Sequence, residues 1–479
     1  MIGILSYGAY VPRLRLQRAA IVQAHAWFTP GLKAHARGER AMANWDEDAI
    51  TLAVEAARDS LSTMARDGIG SVLLASTSLP FADRQNAGVV KEALNLADTI
   101  FTQDVVGSQK AGTGALIQSL RAASASDGPT LCIAAERANA RPGSEAELIN
   151  GDASAAFVIG EGEPIATLLA SHSLSVDFVD HFRGKAAQFD YGWEARWVRD
   201  EGYGKIIGRA IRGALDKAGL AGDAIDHLIV PIPVRGVAET LARDAGIPPA
   251  AIVDGLGESL GHAGCAQPLV MLAMALQNAK PGERILVTGF GQGADVLIIE
   301  TTLALAHHVH PRGVAGWLSR KKAESNYLKY LFFTGGIRLD TGMRAELEQK
   351  QPLTALYRNR ATVLGLVGGI DTETGDVQYP ATGFSVASRV ARKLEPYPLA
   401  ERPARVLTFT ADRLAFTPDP PGCYGMVEFD GGGRMLAEFT DADSDQIEVG
   451  RPMRMTFRIK SVDQQRDFTK YFWKAAPAV

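Results

Sequence analysis

The stretch DVVGSQKAGTGAL, residues 104–116, runs from a short apolar segment through a polar turn punctuated by Gly107 into a segment of small residues. That order predicts a strand feeding a helix, with the free N–H groups of the first helical turn gathered behind the turn. Working outward, SVLLAST (71–77), TLCIAAE (130–136), SAAFVIGEG (154–162), HLIVPIP (227–233) and RILVTGF (284–290) read as buried strands, alternating with helical stretches rich in alanine and leucine. DEDAITLAVEAARDSL (46–61) reads as a helix with three acidic residues at its positive end and Ile50, Val54, Ala57 and Leu61 on one face. GYGKIIGRAIRGALDKAGL (202–220) reads as a second helix, again followed by a strand. The recurrence predicts two related halves, 1–165 and 166–302, in an α/β chain.

From residue 303 the pattern changes. A basic, mixed stretch at 303–351 reads as a helical connector. Beyond 352, RVLTFTADRLAFT, YGMVEFDGGGRMLAEFT and RPMRMTFRIKSVD alternate at period two between the turn signals DPPG and DGGG. An antiparallel barrel of the oligonucleotide/oligosaccharide-binding (OB) type is the expected closed form for 352–479.

The 479 residues are 46% apolar and 22% charged, with a formal net charge of −4. This balance gives no reason to expect nucleic acid or an acidic membrane surface as a partner. Cys132, Cys265 and Cys423 are far apart with no CxxC pair, which argues against a disulfide framework and fits a reducing, cytoplasmic setting. Arg13 and Arg15 interrupt the apolar N-terminal run, and no segment approaches the ~20 apolar residues of a membrane span.

GERAMANWDEDAITLAVEAARDSL (38–61), QKAGTGAL (109–116), NGDASAAFVIGEG (150–162) and AKPGERILVTGFGQGADVLIIE (279–300) occur in order. Together they resemble the 3-hydroxy-3-methylglutaryl-CoA (HMG-CoA) synthase branch of the thiolase superfamily, in particular its archaeal-type members. The C-terminal part resembles the OB-fold domain that accompanies thiolase-like proteins. The resemblance implies a five-layered αβαβα fold of two similar halves, a homodimer, and a tunnel admitting the pantetheine arm of CoA, with coenzyme A or an acyl-CoA as substrate. It leaves the residues that would bind the CoA phosphates unassigned.

The positions that carry the family's chemistry differ here. The nucleophilic cysteine before the KAGT element is replaced by Gln109, the general-base glutamate by Thr77 in ASTSLPF, and the catalytic histidine by Pro231 in LIVPIPVRG. The family's asparagine matches His262 in GESLGHAGCAQP. Glutamine cannot supply a thiolate, so these departures argue against ordinary HMG-CoA synthase activity. The related OB domains begin with a zinc ribbon; here Asp371 and Thr374 stand at its first cysteine pair in GGIDTETGDVQYP, a donor set without sulfur.

Five residues emerge as candidates. Gln109 sits at a helix entrance, where its amide could support an enolate oxygen, as in decarboxylating relatives; the competing reading is a filler in a disused tunnel. Ser108 is offset by one residue and reads better as a helix cap than as a nucleophile. His262 has the pKa range for proton transfer and resembles the histidine loop of condensing enzymes, where the imidazole donates to a thioester carbonyl. Cys265 is an alternative thiol, although a free cysteine is ordinarily a small buried hydrophobe. Gly291 in GFGQGA matches glycines that give a backbone N–H to an oxyanion hole. That run lacks dinucleotide-binding spacing, and HHVH (307–310) lacks metal-ligand spacing, so no metal is expected. Three functions follow: CoA-dependent retro-Claisen cleavage of a 3-oxo acid, decarboxylation assisted by Gln109, and a catalytically silent acyl-CoA-binding subunit.

Overall fold

The computed structural model describes residues 1–478 except 63, 125, 126, 138, 310, 311, 346–349, 392 and 393. The chain divides into two compact units. Unit 1 contains residues 1–44, 48–88 and 97–337; unit 2 contains 45–47, 89–96 and the chain from 338 onward.

Unit 1 is built on a nine-stranded sheet: β1 (Ile2–Tyr10), β2 (Ser71–Ala75), β3 (Phe101–Val105), β4 (Thr130–Glu136), β5 (Ala153–Glu161), β6 (Ala166–Ser175), β7 (His227–Ile229), β8 (Arg284–Phe290) and β9 (Gly293–Thr301). Their order is β7-β8-β9-β6-β1-β5-β4-β2-β3. The two halves repeat one pattern. On one side β1 pairs antiparallel with β5, β5 antiparallel with β4, and β4 and β2 continue in parallel to β3. On the other, β6 pairs antiparallel with β9, β9 antiparallel with β8, and β8 runs parallel to β7. A parallel bridge from Leu228 to Ile252 stands where β3 would lie. Within the sheet the halves meet where Ile4 lies opposite Ala166.

The helices repeat as well: α1 (Ala49–Ser60), α2 (Asn86–Ala93) and α3 (Ala111–Ala122) in the first half, α4 (Gly208–Ala218), α5 (Val237–Ala245) and α6 (Gln267–Asn278) in the second. The first packs on β1, β5 and β4, and α4 on β6 and β9, whereas α3 and α6 touch each other and strands of both halves. This is the layered arrangement of a thiolase-like fold, with α3 and α6 in the middle. Small residues make the close approach feasible: a Cβ on Gly112 would run into the Cys265 carbonyl, and one on Gly289 into the Thr113 side chain.

Several expected elements shift at their ends. The helix expected at 46–61 starts after Asp48, which accepts from Thr51 N at 3.0 Å while the Thr51 hydroxyl accepts from Asp48 N at 2.9 Å. This reciprocal cap satisfies two donors. Asp46 and Glu47 do not serve that helix; they belong to unit 2. The helix expected at 202–220 is a π-helical stretch, Val198–Ile207, running into α4, which Gly219 closes at φ +65°. HLIVPIP pairs over only three residues, because Pro231 and Pro233 lack the N–H a ladder needs. GFGQGA is the hairpin between β8 and β9, not a strand-to-helix phosphate loop.

The stretch expected to be a connector at 303–351 contributes more than helices. Residues 303–337 belong to unit 1, so the boundary falls at 337/338 instead of 351/352. Helices Gly313–Ser319 and Tyr327–Phe333 flank a strand, Lys322–Glu324, that pairs in parallel with Leu14–Gln17. Of the HHVH histidines, His308 packs 5.5 Å from the Tyr7 ring, and His310 lies outside the described residues.

In unit 2, strands Thr410–Asp412, Gly422–Phe429, Ala404–Val406, Pro452–Asp463 and Phe468–Pro477 follow one another across an antiparallel sheet. Arg434–Glu438 pairs with Gly422–Phe429, and a bridge from Phe439 to Ala475 closes the sheet into a barrel. Val427, Phe429, Met455, Phe457 and Trp473 are buried in it. Asp371, buried at the start of a turn, accepts from Glu373 N at 3.0 Å and from the Ser388 hydroxyl at 3.3 Å. Among the described residues no three His, Cys, Asp or Glu side chains cluster as metal ligands.

Candidate active site

Two helix entrances meet in the middle layer of unit 1. The turn 106–110 delivers the chain from β3 to α3, with Gly107 at φ +89°. The Ser108 hydroxyl donates to the Gly291 carbonyl at 3.0 Å and accepts from Lys110 N at 3.3 Å. Both of its roles are structural, so Ser108 braces the turn, consistent with the reading as a cap. Lys110 Nζ lies 3.5 Å from Asp295 Oδ1, and the Thr113 hydroxyl, 3.2 Å from Asp295 Oδ2, ties the same helix to β9.

Gln109 projects toward the second entrance. Its Nε2 lies 3.4 Å from Thr77 Oγ1, while its Oε1 is buried without a hydrogen-bond partner. Among the described residues its backbone N–H has no acceptor. The Gly291 N–H, by contrast, donates to the Gly293 carbonyl at 3.0 Å. The oxyanion donor expected at Gly291 is therefore already committed inside the hairpin, and the open backbone donor here is that of Gln109.

The loop before α6 is pinned at several points. His262 N donates to the Ile149 carbonyl at 2.8 Å and the His262 carbonyl accepts from Gly151 N at 3.0 Å. Gln267 Oε1 accepts from Ala263 N and its Nε2 donates to the Gly255 carbonyl, both at 2.8 Å. The His262 Nε2 lies 2.9 Å from the Pro231 carbonyl. A carbonyl only accepts, so Nε2 carries the proton and Nδ1 is the lone-pair nitrogen. Burial is the largest influence on this ring and lowers its pKa; the Pro231 bond opposes that and nearby His181 reinforces it. The ring is thus a neutral imidazole. The donor role to a thioester carbonyl expected for it is occupied by Pro231, leaving Nδ1 as a proton acceptor.

Beside these stands a residue the sequence reading passed over. Glu136, the last residue of β4, is fully buried. Its Oε2 accepts from Thr77 N at 3.2 Å and from the Thr77 hydroxyl at 2.9 Å; its Oε1 has no partner of hydrogen-bond geometry. Burial raises its pKa against the pull of Ser78, Cys265 and Thr77. The signal lay in TLCIAAE, an apolar strand that ends on an acid. Thr77 orients this carboxyl through its backbone N–H and its hydroxyl.

Cys265 is fully buried, and burial together with the neighbouring Glu136 raises its pKa well above that of a free thiol. It is a thiol, not a thiolate, at neutral pH. Gly264, at φ +48°, lies between the two entrances: a Cβ there would sit 3.0 Å from Gln109 Oε1, 3.1 Å from Glu136 Oε2 and 2.7 Å from Glu136 Cγ. The segment 177–204 adds a polar roof. Arg183 donates to the Thr77 carbonyl and pairs with Asp190 at 2.8 Å; His181, bonded to Asp180 at 2.9 Å, has a raised pKa because burial, the largest single influence, is outweighed by that bond together with the charges of Asp180 and Asp190. Its rings Phe182, Tyr191 and Trp193 are exposed, while Trp197 stacks on Phe178 at 4.1 Å.

The layered fold and the paired helix entrances define a thiolase-superfamily protein of the condensing-enzyme type. A protein-family model of the 3-oxoacyl-[acyl-carrier-protein] synthase III C terminus matches residues 215–299, and one described as the ChsH2 C-terminal OB-fold domain matches 397–458. The hydroxymethylglutaryl-CoA synthase of Archaeoglobus fulgidus is 32% identical over 347 residues, 69% of this chain and 98% of that protein. That of Caldivirga maquilingensis is 28% identical over 71% of this chain and 99% of its own. The HMG synthase of the curacin biosynthetic pathway superposes with a TM-score of 0.60 at 18% identity, covering 70% of this chain and 88% of that one. An HMG-CoA synthase solved in complex with CoA also gives 0.60, at 17% identity, covering 73% and 95%. The chain belongs to the hydroxymethylglutaryl-CoA synthase family of the thiolase superfamily, with a C-terminal OB-fold region of the ChsH2 type.

Proposed function

We propose that this protein uses CoA to cleave a carbon–carbon bond of a 3-oxo acid, yielding an acyl-CoA and a small carboxylate. CoA itself is the nucleophile and no acyl-enzyme forms. The observation carrying this reading is that no activated protein nucleophile stands at the helix entrance. Gln109 is not nucleophilic, the Ser108 hydroxyl is spent on Gly291, and the Cys265 thiol is buried and protonated. What that place offers is an open backbone N–H at Gln109 to receive the oxygen of the attacked ketone, and a neutral imidazole whose Nε2 is held by Pro231, leaving Nδ1 to relay a proton. An HMG-CoA synthase relative solved with CoA supports CoA as the partner substrate.

The test incubates the full chain with CoA and a 3-oxo acid, acetoacetate or benzoylacetate, and follows acyl-CoA by mass spectrometry. Acyl-CoA formation with no adduct on the intact protein is the expected result. A stable acyl adduct on Cys265 or Ser108 overturns direct attack by CoA. Carbon dioxide release without CoA consumption would instead make the protein a decarboxylase, and inertness toward both would leave a binding subunit. We also propose a homodimer: among the described residues β3 pairs on one side only, and Phe101 and Val106 at its two ends are exposed, a surface a second copy can cover. Light scattering at micromolar concentration reads the mass directly.

A further inference from the structure

The middle layer of unit 1 holds two buried acceptor oxygens, Glu136 Oε1 and Gln109 Oε1, that have no partner of hydrogen-bond geometry among the described residues. The Ser78 hydroxyl and the Cys265 thiol are the nearby donors to the Glu136 carboxyl, and neither makes a well-formed bond to Oε1. Both side chains close on Gly264, where a Cβ would lie 3.0 Å from Gln109 Oε1 and 3.1 Å from Glu136 Oε2. Unpaired buried acceptors are costly and rare, so a site that keeps two side by side is built for a donor that arrives from outside. The donors already present are used to orient, not to satisfy. The Thr77 N–H and hydroxyl fix Glu136 Oε2, and Gln109 Nε2 lies 3.4 Å from the same hydroxyl, while Oε1 of each residue keeps no partner of hydrogen-bond geometry.

Resting on the CoA-dependent cleavage reading, we propose that Glu136 is the acid–base group of the reaction, moving one proton from the CoA thiol to the departing carbon. As the sulfur bonds to the ketone carbon, the S–H proton passes to the Glu136 carboxylate and the ketone oxygen takes the negative charge at the Gln109 N–H. The oxyanion then collapses, the bond to the adjacent CH2 breaks, and its electron pair goes to that carbon. Glu136 returns the proton there, giving the methyl group of the released carboxylate. The proton borrowed in the first half is repaid in the second, so the cycle needs no other donor or acceptor. Burial suits the carboxyl to both halves by bringing its acidity closer to that of its reaction partners. Cys265, the other titratable group against it, remains a spectator thiol, and Arg137, next in the chain, is turned away to the Phe333 carbonyl at 2.8 Å.

The test compares the full-length wild type with E136Q, E136D and C265A. Two rates are read: acyl-CoA formation from CoA and benzoylacetate, and loss of the C2 protons of benzoylacetate in D2O without CoA, measured above the uncatalysed exchange. E136Q is expected to lower both by about 100-fold or more, with an unchanged CoA-induced thermal shift. E136D is expected to recover part of each rate, and C265A to keep both near wild type. Wild-type-like rates in E136Q overturn the assignment while leaving the cleavage reading standing. Glu136-dependent exchange without acyl-CoA formation by the wild type overturns the cleavage reading and keeps the acid–base role. Absence of both activities in the wild type overturns both. If E136Q does not fold, E136D with wild-type rates and wild-type pH dependence counts against the proposal.

Discussion

A carboxyl sealed from water at the end of an apolar strand ties the site to stability. Because Glu136 has a raised pKa in the folded chain, the folded state holds its proton more tightly than the unfolded state does. Its contribution is therefore favourable below the ordinary carboxyl range near ~4.3 and is lost as pH rises through the folded value. Asp152 and Glu147, also raised by burial, act in the same sense. E136Q should consequently melt higher than the wild type at pH 8, with the gain shrinking toward pH 5; differential scanning calorimetry across that range checks it. His262 runs the other way, since its lowered pKa costs stability as pH falls below about 6.5. Gln109 and His262 were legible as candidates through the resemblance of QKAGTGAL and GHAGCA to condensing-enzyme motifs, and both stand before helices, α3 and α6. Glu136 was not, because its meaning depends on Thr77, 59 positions away in the chain, and on the walls that keep water out. For Gly291 and His262 the residues were visible but not their partners: which carbonyl takes an N–H is a tertiary fact.

At the level of elements, two local devices set the geometry. Gly264 combines a left-handed backbone with a missing Cβ, so G264A should be strained by roughly 1–2 kcal/mol at φ +48° and should press on Glu136 and Gln109 as well. Turnover is expected to fall further than the melting temperature would explain, which parallel activity and melting measurements resolve. The Asp48 cap of α1 gives a control remote from chemistry: D48A should lower stability by about 1 kcal/mol without altering turnover. The strands of both halves were readable because each is a run of apolar residues long enough to cross a buried sheet, and the barrel strands because period two survives in them. The pairing of Lys322–Glu324 with Leu14–Gln17 was not, since a three-residue polar strand carries no periodicity. Nor could composition distinguish the π-helical turns at 198–207 from α4.

For the molecule as a whole, the unit carrying the barrel is not made from one stretch of chain. Within unit 2, Arg458 is fully buried with Glu47 at 3.0 Å, Asp441 at 2.9 Å and Asp46 at 3.7 Å, while Lys474 pairs with Asp46 at 3.0 Å. R458M removes the guanidinium shared by three sealed carboxylates and should cost about 3–5 kcal/mol, seen as loss or early melting of a transition in calorimetry. Sequence reading assigned Asp46 and Glu47 to a helix dipole, a sound local argument that a distant arginine overrides.

The same arrangement limits how such a protein can be taken apart. A tail cut at 337/338 leaves behind two of the three carboxylates around its buried arginine, so a barrel grafted, swapped between relatives or expressed alone starts with that charge undercompensated. Any such exchange has to carry a tripeptide from near the N-terminus along with it, and homologous tails will be interchangeable only where that tripeptide and the arginine have changed together.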